Sequence, residues 1–317
     1  MFTVERVSKS SYFSDDFLAK EQAQLESQLK IHYQKSWELN QSRPEILITN
    51  THTDLSTLPL STLENLELII HPNSGYDNFS PDWVAQQKIP IVLGNSIRAG
   101  AVTETIIASL INRSISLPKN PEWVAKRNFK RKILADLNVL ILGAGMIGQQ
   151  VAQKLKSLVG QIQFFDPFKN LLELDLNRAD VIIVAASLNP TSANFINKEF
   201  FKECKPGFTL INTARGGIVN ESDLRAALEN DPNAFAYLDV FQVEPADFSP
   251  FLPFMERGQM ICTSHIAGVF DELEAEMIKF EQEVIQNFLE TRENPEEFLR
   301  LYSDQLLINR LHRNFLI

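Results

Sequence analysis

The sequence predicts an α/β protein of two domains, each a parallel sheet covered by helices, with one domain inserted in the other. Three observations lead there. Short apolar runs alternate with helical patterns nearly from end to end. A glycine-rich turn sits where one of those runs passes into a helix. The 317 residues, at roughly 100–200 per domain, leave room for two.

Composition narrows the class. Hydrophobic residues make up 44% and charged residues 22%, ordinary globular usage that supplies real cores and excludes a disordered chain. Forty acidic against thirty basic residues leave a formal charge of -10. Nucleic-acid backbones are held by Lys and Arg, so this balance argues against nucleic acid as the partner. The densest basic stretch, 126–132, is short, precedes a strand and reads as a solvated linker. Cys204 and Cys262 are far apart and form no C-x-x-C pair, so neither a disulfide framework nor a metal site is expected. The N-terminal stretch reads as too polar for a signal peptide. No apolar run approaches the ~18–20 residues that span a bilayer. A soluble, cytoplasmic protein with no membrane partner is expected.

Taken in order, 45–49, 66–70 and 89–93 read as strands. Between the last two, Ser80 is placed to cap a helix with Pro81 at its first position. From 101 to 113 the apolar spacing becomes helical and carries the chain into the second domain. Strand signals resume at 138–142, 161–165, 181–185, 209–212, 234–240 and 260–263, with helices at 147–158 and 223–229. Six strands and their crossovers, opening at the glycine-rich turn, match a complete dinucleotide-binding sheet. One long helical pattern runs from 271 to about 292, after which the tail is expected to return to the first domain. The boundaries read as 1–98 with 288–317 for a substrate domain and 99–287 for a cofactor domain.

The turn is Gly143-Ala-Gly145-Met146-Ile147-Gly148. Its first glycine permits a tight turn, the second close approach of pyrophosphate, and the third close helix–strand packing. The helix N-terminus then offers N–H groups and a positive dipole end to phosphates. Asp166 follows the next strand, 18 residues beyond Gly148, near the ~20 expected of a ribose-binding carboxylate. It favours NAD over NADP, although Lys169 nearby leaves that choice open.

Three polar residues lie at C-terminal ends of later strands, the edge where open α/β sheets bind ligands. They are Arg215 in Asn212-Thr-Ala-Arg-Gly-Gly217, Glu244 in Leu238-Asp-Val-Phe-Gln-Val-Glu-Pro245, and His265 in Thr263-Ser-His-Ile-Ala-Gly268. Singly, each is as well explained by a surface charge, a turn or a buried histidine. Together, with family-like order and spacing, the chain resembles the D-isomer-specific 2-hydroxyacid dehydrogenases. The resemblance extends to Asn73-Ser-Gly-Tyr-Asp-Asn78, which is similar to that family's substrate loop.

That resemblance implies two Rossmann-like or flavodoxin-like domains with parallel sheets, NAD as cofactor, a small 2-keto or 2-hydroxy acid as substrate, and a homodimer. It implies that Arg215 binds the substrate carboxylate and polarises its carbonyl, which suits a planar guanidinium fork. His265 would be the acid in ketone reduction and the base in reverse, oriented by Glu244. Backbone N–H groups of Ser74 and Gly75 would hold the carboxylate from the other domain, which closes over the site. Asp239 would contact the nicotinamide carboxamide, and Met146, Ile147, Ser187, Thr213 and Ala214 would line the cofactor cleft.

The chain also departs from the pattern. Ser264 and Ser187 stand where relatives commonly have proline, and Val102-Thr-Glu-Thr105 replaces V-A-E-H. The segment 95–100, read as a short loop, carries Arg98, which is either a ligand for a second anionic group or a solvated hinge residue. His52 and His71 lie near strand ends of the first domain. A catalytically silent NAD(H) sensor of the same fold is the competing reading, disfavoured by the intact Arg215–Glu244–His265 set. A formate-type enzyme is disfavoured by Glu244, and a phosphorylated substrate by the scarcity of basic residues beyond Arg98.

Overall fold

The computed structural model describes residues 2–8, 14–37, 43–53, 64–86, 88–115 and 132–312. Of the basic stretch 126–132, all but Lys132 lies outside the described residues. The chain divides into two compact units, one formed by the residues up to Arg98 and those from Phe270 onward, the other by Ala99–Val269.

The first unit holds β1 (Phe2–Val7), β2 (Ile31–Ser36), β3 (Ile46–Ile48), β4 (Leu68–His71) and β5 (Ile91–Leu93), in the order β2-β1-β3-β4-β5. Every pairing is parallel. Alternation along these strands feeds two cores. Ile46, Ile48, Leu68 and Ile70 pack with Phe280, Val284 and Ile285 of the helix Leu273–Glu290. On the opposite face, Leu47, Ile69, Ile91 and Leu93 pack with Phe79 and Val84. The helix Pro81–Gln86 starts as read, with Trp83 N–H donating to Ser80 Oγ at 3.4 Å.

Strands β1 and β2 were not anticipated. Their sequences, Phe-Thr-Val-Glu-Arg-Val and Ile-His-Tyr-Gln-Lys-Ser, look too polar for buried sheet. Yet Glu5 and Arg6 are fully buried. Arg6 forks onto Glu21 and reaches Glu281, while Tyr33 donates its hydroxyl to Glu21. Neutralisation by carboxylates outside the strand makes Arg6 buriable.

The long helix Leu273–Glu290 belongs to this first unit. The expected return at 288 is therefore corrected to Phe270. The apolar face of that helix completes the first unit's core, which its sequence periodicity could not reveal. A second correction concerns 95–100, which is the opening of the helix Asn95–Ser114 rather than a loop.

The second unit contains β6 (Asn138–Leu142), β7 (Gln161–Phe165), β8 (Val181–Val184), β9 (Thr209–Asn212), β10 (Phe235–Leu238) and β11 (Met260–Cys262). Their order is β11-β10-β9-β8-β6-β7, again all parallel. Leu140, Leu142, Ile182, Val184 and Leu210 face Leu224, Leu228 and Phe251. Val139, Ile141, Ile183 and Ile211 face Ile106, Leu110, Val151 and Leu155. The strand order reverses between β6 and β8, and in open α/β sheets such a switch point is where ligands sit.

Candidate active site

The glycine-rich turn leaves β6 at that switch point. Gly143 has φ +102°, and a Cβ there would lie 2.7 Å from the Ala185 carbonyl beyond β8. A Cβ on Gly148 would come within 2.1 Å of Gly143 O, so the helix Met146–Leu155 rests directly on the turn. At Gly145 the Cβ position is open, with nothing within 4 Å. Gly145 is exposed and caps the helix without a side-chain bond, and among the described residues the N–H groups of Gly145, Met146 and Ile147 donate to no protein acceptor. These features fit a bound pyrophosphate: no side chain intrudes, and the helix end carries partial positive charge.

Asp166, expected to meet the adenosine ribose, is only 1% exposed. Its Oδ2 accepts Ala144 N–H at 2.9 Å and its Oδ1 accepts Phe168 N–H at 3.2 Å. The carboxylate thus ties β7 to the glycine turn. Lys169, exposed beside it, donates to Ala144 O.

The loop after β9 is built around Asn212, whose Oδ1 accepts Ala214 N–H at 3.0 Å and whose Nδ2 donates to Arg215 O at 3.1 Å. Thr213 is 8% exposed, Ala214 and Arg215 are half-buried, and Arg215 Nη1 donates to Ala214 O at 2.8 Å. Gly216 must be glycine, because a Cβ there would collide with the Phe241 backbone at 1.9 Å. That contact seats the Arg215 loop against the loop after β10. Ser187, half-buried after β8, accepts Ser192 Oγ–H through its carbonyl at 2.7 Å.

On the β10 loop, Glu244 Oε1 accepts Phe241 N–H at 3.0 Å, which aims its other oxygen at His265. Glu244 Oε2 and His265 Nδ1 are 2.8 Å apart, with the side chains 37% and 48% exposed respectively. A carboxylate only accepts, so Nδ1 carries the proton and Nε2 remains as the working edge. The imidazole is therefore oriented on one side and open on the other.

His265 itself has φ +57°, a left-handed conformation that costs a non-glycine residue about 1–2 kcal/mol. Asp239 offsets that strain. It is fully buried, its Oδ1 accepts Thr263 Oγ–H at 2.6 Å and Ile266 N–H at 2.9 Å, and its Oδ2 accepts Ala267 N–H at 2.9 Å. Its carbonyl accepts His265 N–H at 2.8 Å. The residue expected to meet the nicotinamide carboxamide thus holds the His265 loop through both carboxylate oxygens. Sequence reasoning placed Asp239 near the site but missed this task, as it missed Asn212 and Thr263.

In the first unit, Ser74 and Gly75 follow β4 in a partly exposed loop. Among the described residues, neither N–H donates to a protein acceptor. Arg98 is engaged, with Nη1 on Pro72 O at 2.9 Å and Nη2 against Met277 Sδ at 3.4 Å. Burial lowers its affinity for a proton, with Glu281 opposing. Among the described residues there is no cluster of His, Cys, Asp and Glu suited to a metal.

Comparison with known proteins gives the family. Residues 107–267 match the NAD-binding domain of the D-isomer specific 2-hydroxyacid dehydrogenases, and the chain belongs to that family. D-3-phosphoglycerate dehydrogenase of Mycobacterium tuberculosis is 28% identical over 241 residues, covering 71% of this chain and 45% of the relative. The Bacillus subtilis protein of the same name is 28% identical over 262 residues, covering 76% and 49%. The chain thus spans about half the length of these curated relatives. Among solved structures, D-lactate dehydrogenase from Aquifex aeolicus, complexed with NAD and lactic acid, superposes with a TM-score of 0.70. It is 18% identical, with 96% of this chain and 99% of that one covered. A glyoxylate reductase from Paecilomyes thermophila gives 0.69 at 21% identity, with 91% and 95% covered.

Proposed function

We propose that the protein is an NAD-dependent oxidoreductase that interconverts a 2-keto acid and a D-2-hydroxy acid. The observation that carries this reading is the 2.8 Å His265–Glu244 pair with its outer imidazole edge open. NAD, whose pyrophosphate would lie at the glycine-rich turn, would supply or take the hydride through its nicotinamide ring. Met146, Ile147, Gly145, Ser187, Thr213 and Ala214 hold the cofactor, with Gly143 and Gly148 shaping the turn. Asp166 supports this site by fixing Ala144.

Arg215 binds the substrate carboxylate and draws electron density from the 2-carbonyl. His265 donates the Nε2 proton to the carbonyl oxygen in reduction and recovers it in oxidation. Glu244 keeps Nδ1 protonated and the ring oriented throughout. Ser74 and Gly75 offer N–H groups to the carboxylate. Arg98 already has partners, which supports an unphosphorylated acid over a phosphorylated one. Among the described residues no helix is long and apolar enough to cross a membrane. A cytoplasmic homodimer is the assembly we infer, and sedimentation at micromolar concentration tests it.

The deciding experiment follows NADH absorbance with glyoxylate, hydroxypyruvate, pyruvate, oxaloacetate and 3-phosphohydroxypyruvate, with NADPH in parallel. One unphosphorylated acid should be reduced, and His265→Ala should lower kcat by about 10²–10⁴-fold with NADH affinity unchanged. Tight NADH binding with no turnover of any acid would favour the sensor reading instead.

A further inference from the structure

Four histidines besides His265 occur in the chain, and His71 stands apart from them by its setting. It ends β4, is fully buried and lies edge-on to Phe79, with ring centroids 5.0 Å apart. Its Nε2 is 2.9 Å from Gly75 O, and its Nδ1 is 2.8 Å from Thr49 Oγ. A carbonyl only accepts, so Nε2 carries a proton. In the neutral ring, Nδ1 then accepts the Thr49 hydroxyl, which fixes the tautomer.

Gly75 has no Cβ and loses the most backbone freedom on ordering. Its carbonyl is the group whose direction sets the chain's path into Tyr76. Neighbouring carbonyls are held as well: Pro72 O by Arg98, and His71 O and Asn73 O by Gly94 N–H. With the carbonyls drawn onto the protein, the N–H groups of Ser74 and Gly75 are left for a ligand.

We infer that His71 is a positioning residue for the substrate: by holding the Gly75 carbonyl it presets the Ser74 and Gly75 N–H groups to receive a carboxylate. This rests on the dehydrogenase reading above, and it adds a residue that touches neither substrate nor cofactor. Preorganisation of this kind acts on substrate binding, because an ordered pair of donors need not be ordered again when the anion arrives.

The test compares His71→Phe, which keeps the ring and loses the donor, with His71→Gln, which keeps a donor of similar reach. KM and kcat for the reduced keto acid, NADH affinity by fluorescence and amide hydrogen exchange across 72–77 are measured on each. His71→Phe should raise KM about tenfold and leave kcat within about threefold, with NADH affinity unchanged. Its loop amides should exchange faster, and His71→Gln should restore both KM and exchange.

An unchanged KM and unchanged exchange in His71→Phe would overturn the inference. So would an equal KM rise in both variants, since that would mark a packing effect. Should His71→Phe fail to fold, His71→Gln with wild-type KM and exchange supports the inference, and raised KM or faster exchange overturns it. If the wild type reduces no keto acid, the dehydrogenase reading fails, and exchange then decides separately whether His71 positions the loop.

Discussion

Both sheets end in a loop shaped by one buried side chain, but the two anchors differ in charge. After β10 and β11, the Asp239 carboxylate receives three donors from the segment that carries His265. After β4, a histidine donates a single bond to Gly75. The His265 loop contains a left-handed non-glycine residue, whose strain needs charge-assisted bonds of about 1.5–3 kcal/mol each to offset it. The Gly75 loop holds no left-handed non-glycine residue and needs only direction. A loop that presents a reacting side chain is over-determined, while a loop that presents backbone N–H groups needs one peg.

The largest effect that would break this comparison comes from Asp239→Ala. Three donors would lose their acceptor inside the core, so urea unfolding should show a loss of about 3 kcal/mol or more. Turnover should fall at least about 100-fold as His265 relaxes. Wild-type stability for that variant would mean that Asp239 is not the anchor.

Next comes Glu244→Gln. This pair is half-exposed, so stability should hardly move, while kcat should drop about 10–100-fold with NADH affinity retained, measured by steady-state kinetics and fluorescence titration. A change in melting temperature of several degrees would place Glu244 among the structural residues instead.

A third change sharpens the contrast within the first unit. Arg6 faces two buried carboxylates, and Glu281 Oε2 lacks a partner among the described atoms. Burial and the adjacent Glu21 push the Glu281 carboxyl well above its ordinary range, with Arg6 opposing, whereas Glu21, forked onto Arg6, is held below it. A carboxyl raised in the folded state favours folding fully below its unfolded pKa of about 4.3 and loses that contribution as pH rises. Glu281→Gln should therefore stabilise the protein by about 1–2 kcal/mol at neutral pH and flatten the decline of stability above pH ~5, read by urea melts from pH 4 to 8. Equal pH dependence in both proteins would show that Glu281 does not carry the proton.

The smallest effect is chemical. Burial, with Glu221 adding to it, pushes the Cys262 thiol up to about 12. At pH 8 the folded protein should alkylate with iodoacetamide at least about tenfold more slowly at Cys262 than the urea-unfolded chain. Asp239→Ala, by loosening the loop just beyond β11, should narrow that gap, and mass spectrometry of the Cys262 peptide reads it.

Legibility followed the same division. Strands β6 to β11 were readable to within two residues at most ends because their apolar runs stand between helical segments and the glycine turn. Strands β1 and β2 were not, because Glu5, Arg6 and Tyr33 look like surface residues until their partners are known. The Arg6–Glu281 contact joins positions 275 apart in sequence, and no local pattern foretells it. At the site, motif spacing singled out Arg215, Glu244 and His265. It singled out Asp166 and Asp239 as well, but the bonds they make to Ala144, Phe168, Ile266 and Ala267 could not be read from spacing.

What the sequence by itself determined was the elements of the second unit's sheet and the chemical types at the sheet edges, because alternation, helical spacing and glycine placement act over a few residues. The tertiary structure alone decided which polar groups were consumed by the protein and which were left for a ligand. Asp239 and His71 are spent inside on loops, whereas the outer edge of His265 and the N–H groups of Ser74 and Gly75 remain open. The physical reason is that a buried hydrogen-bonding group must find a partner, and which partner it finds depends on strands and helices brought together from distant parts of the chain.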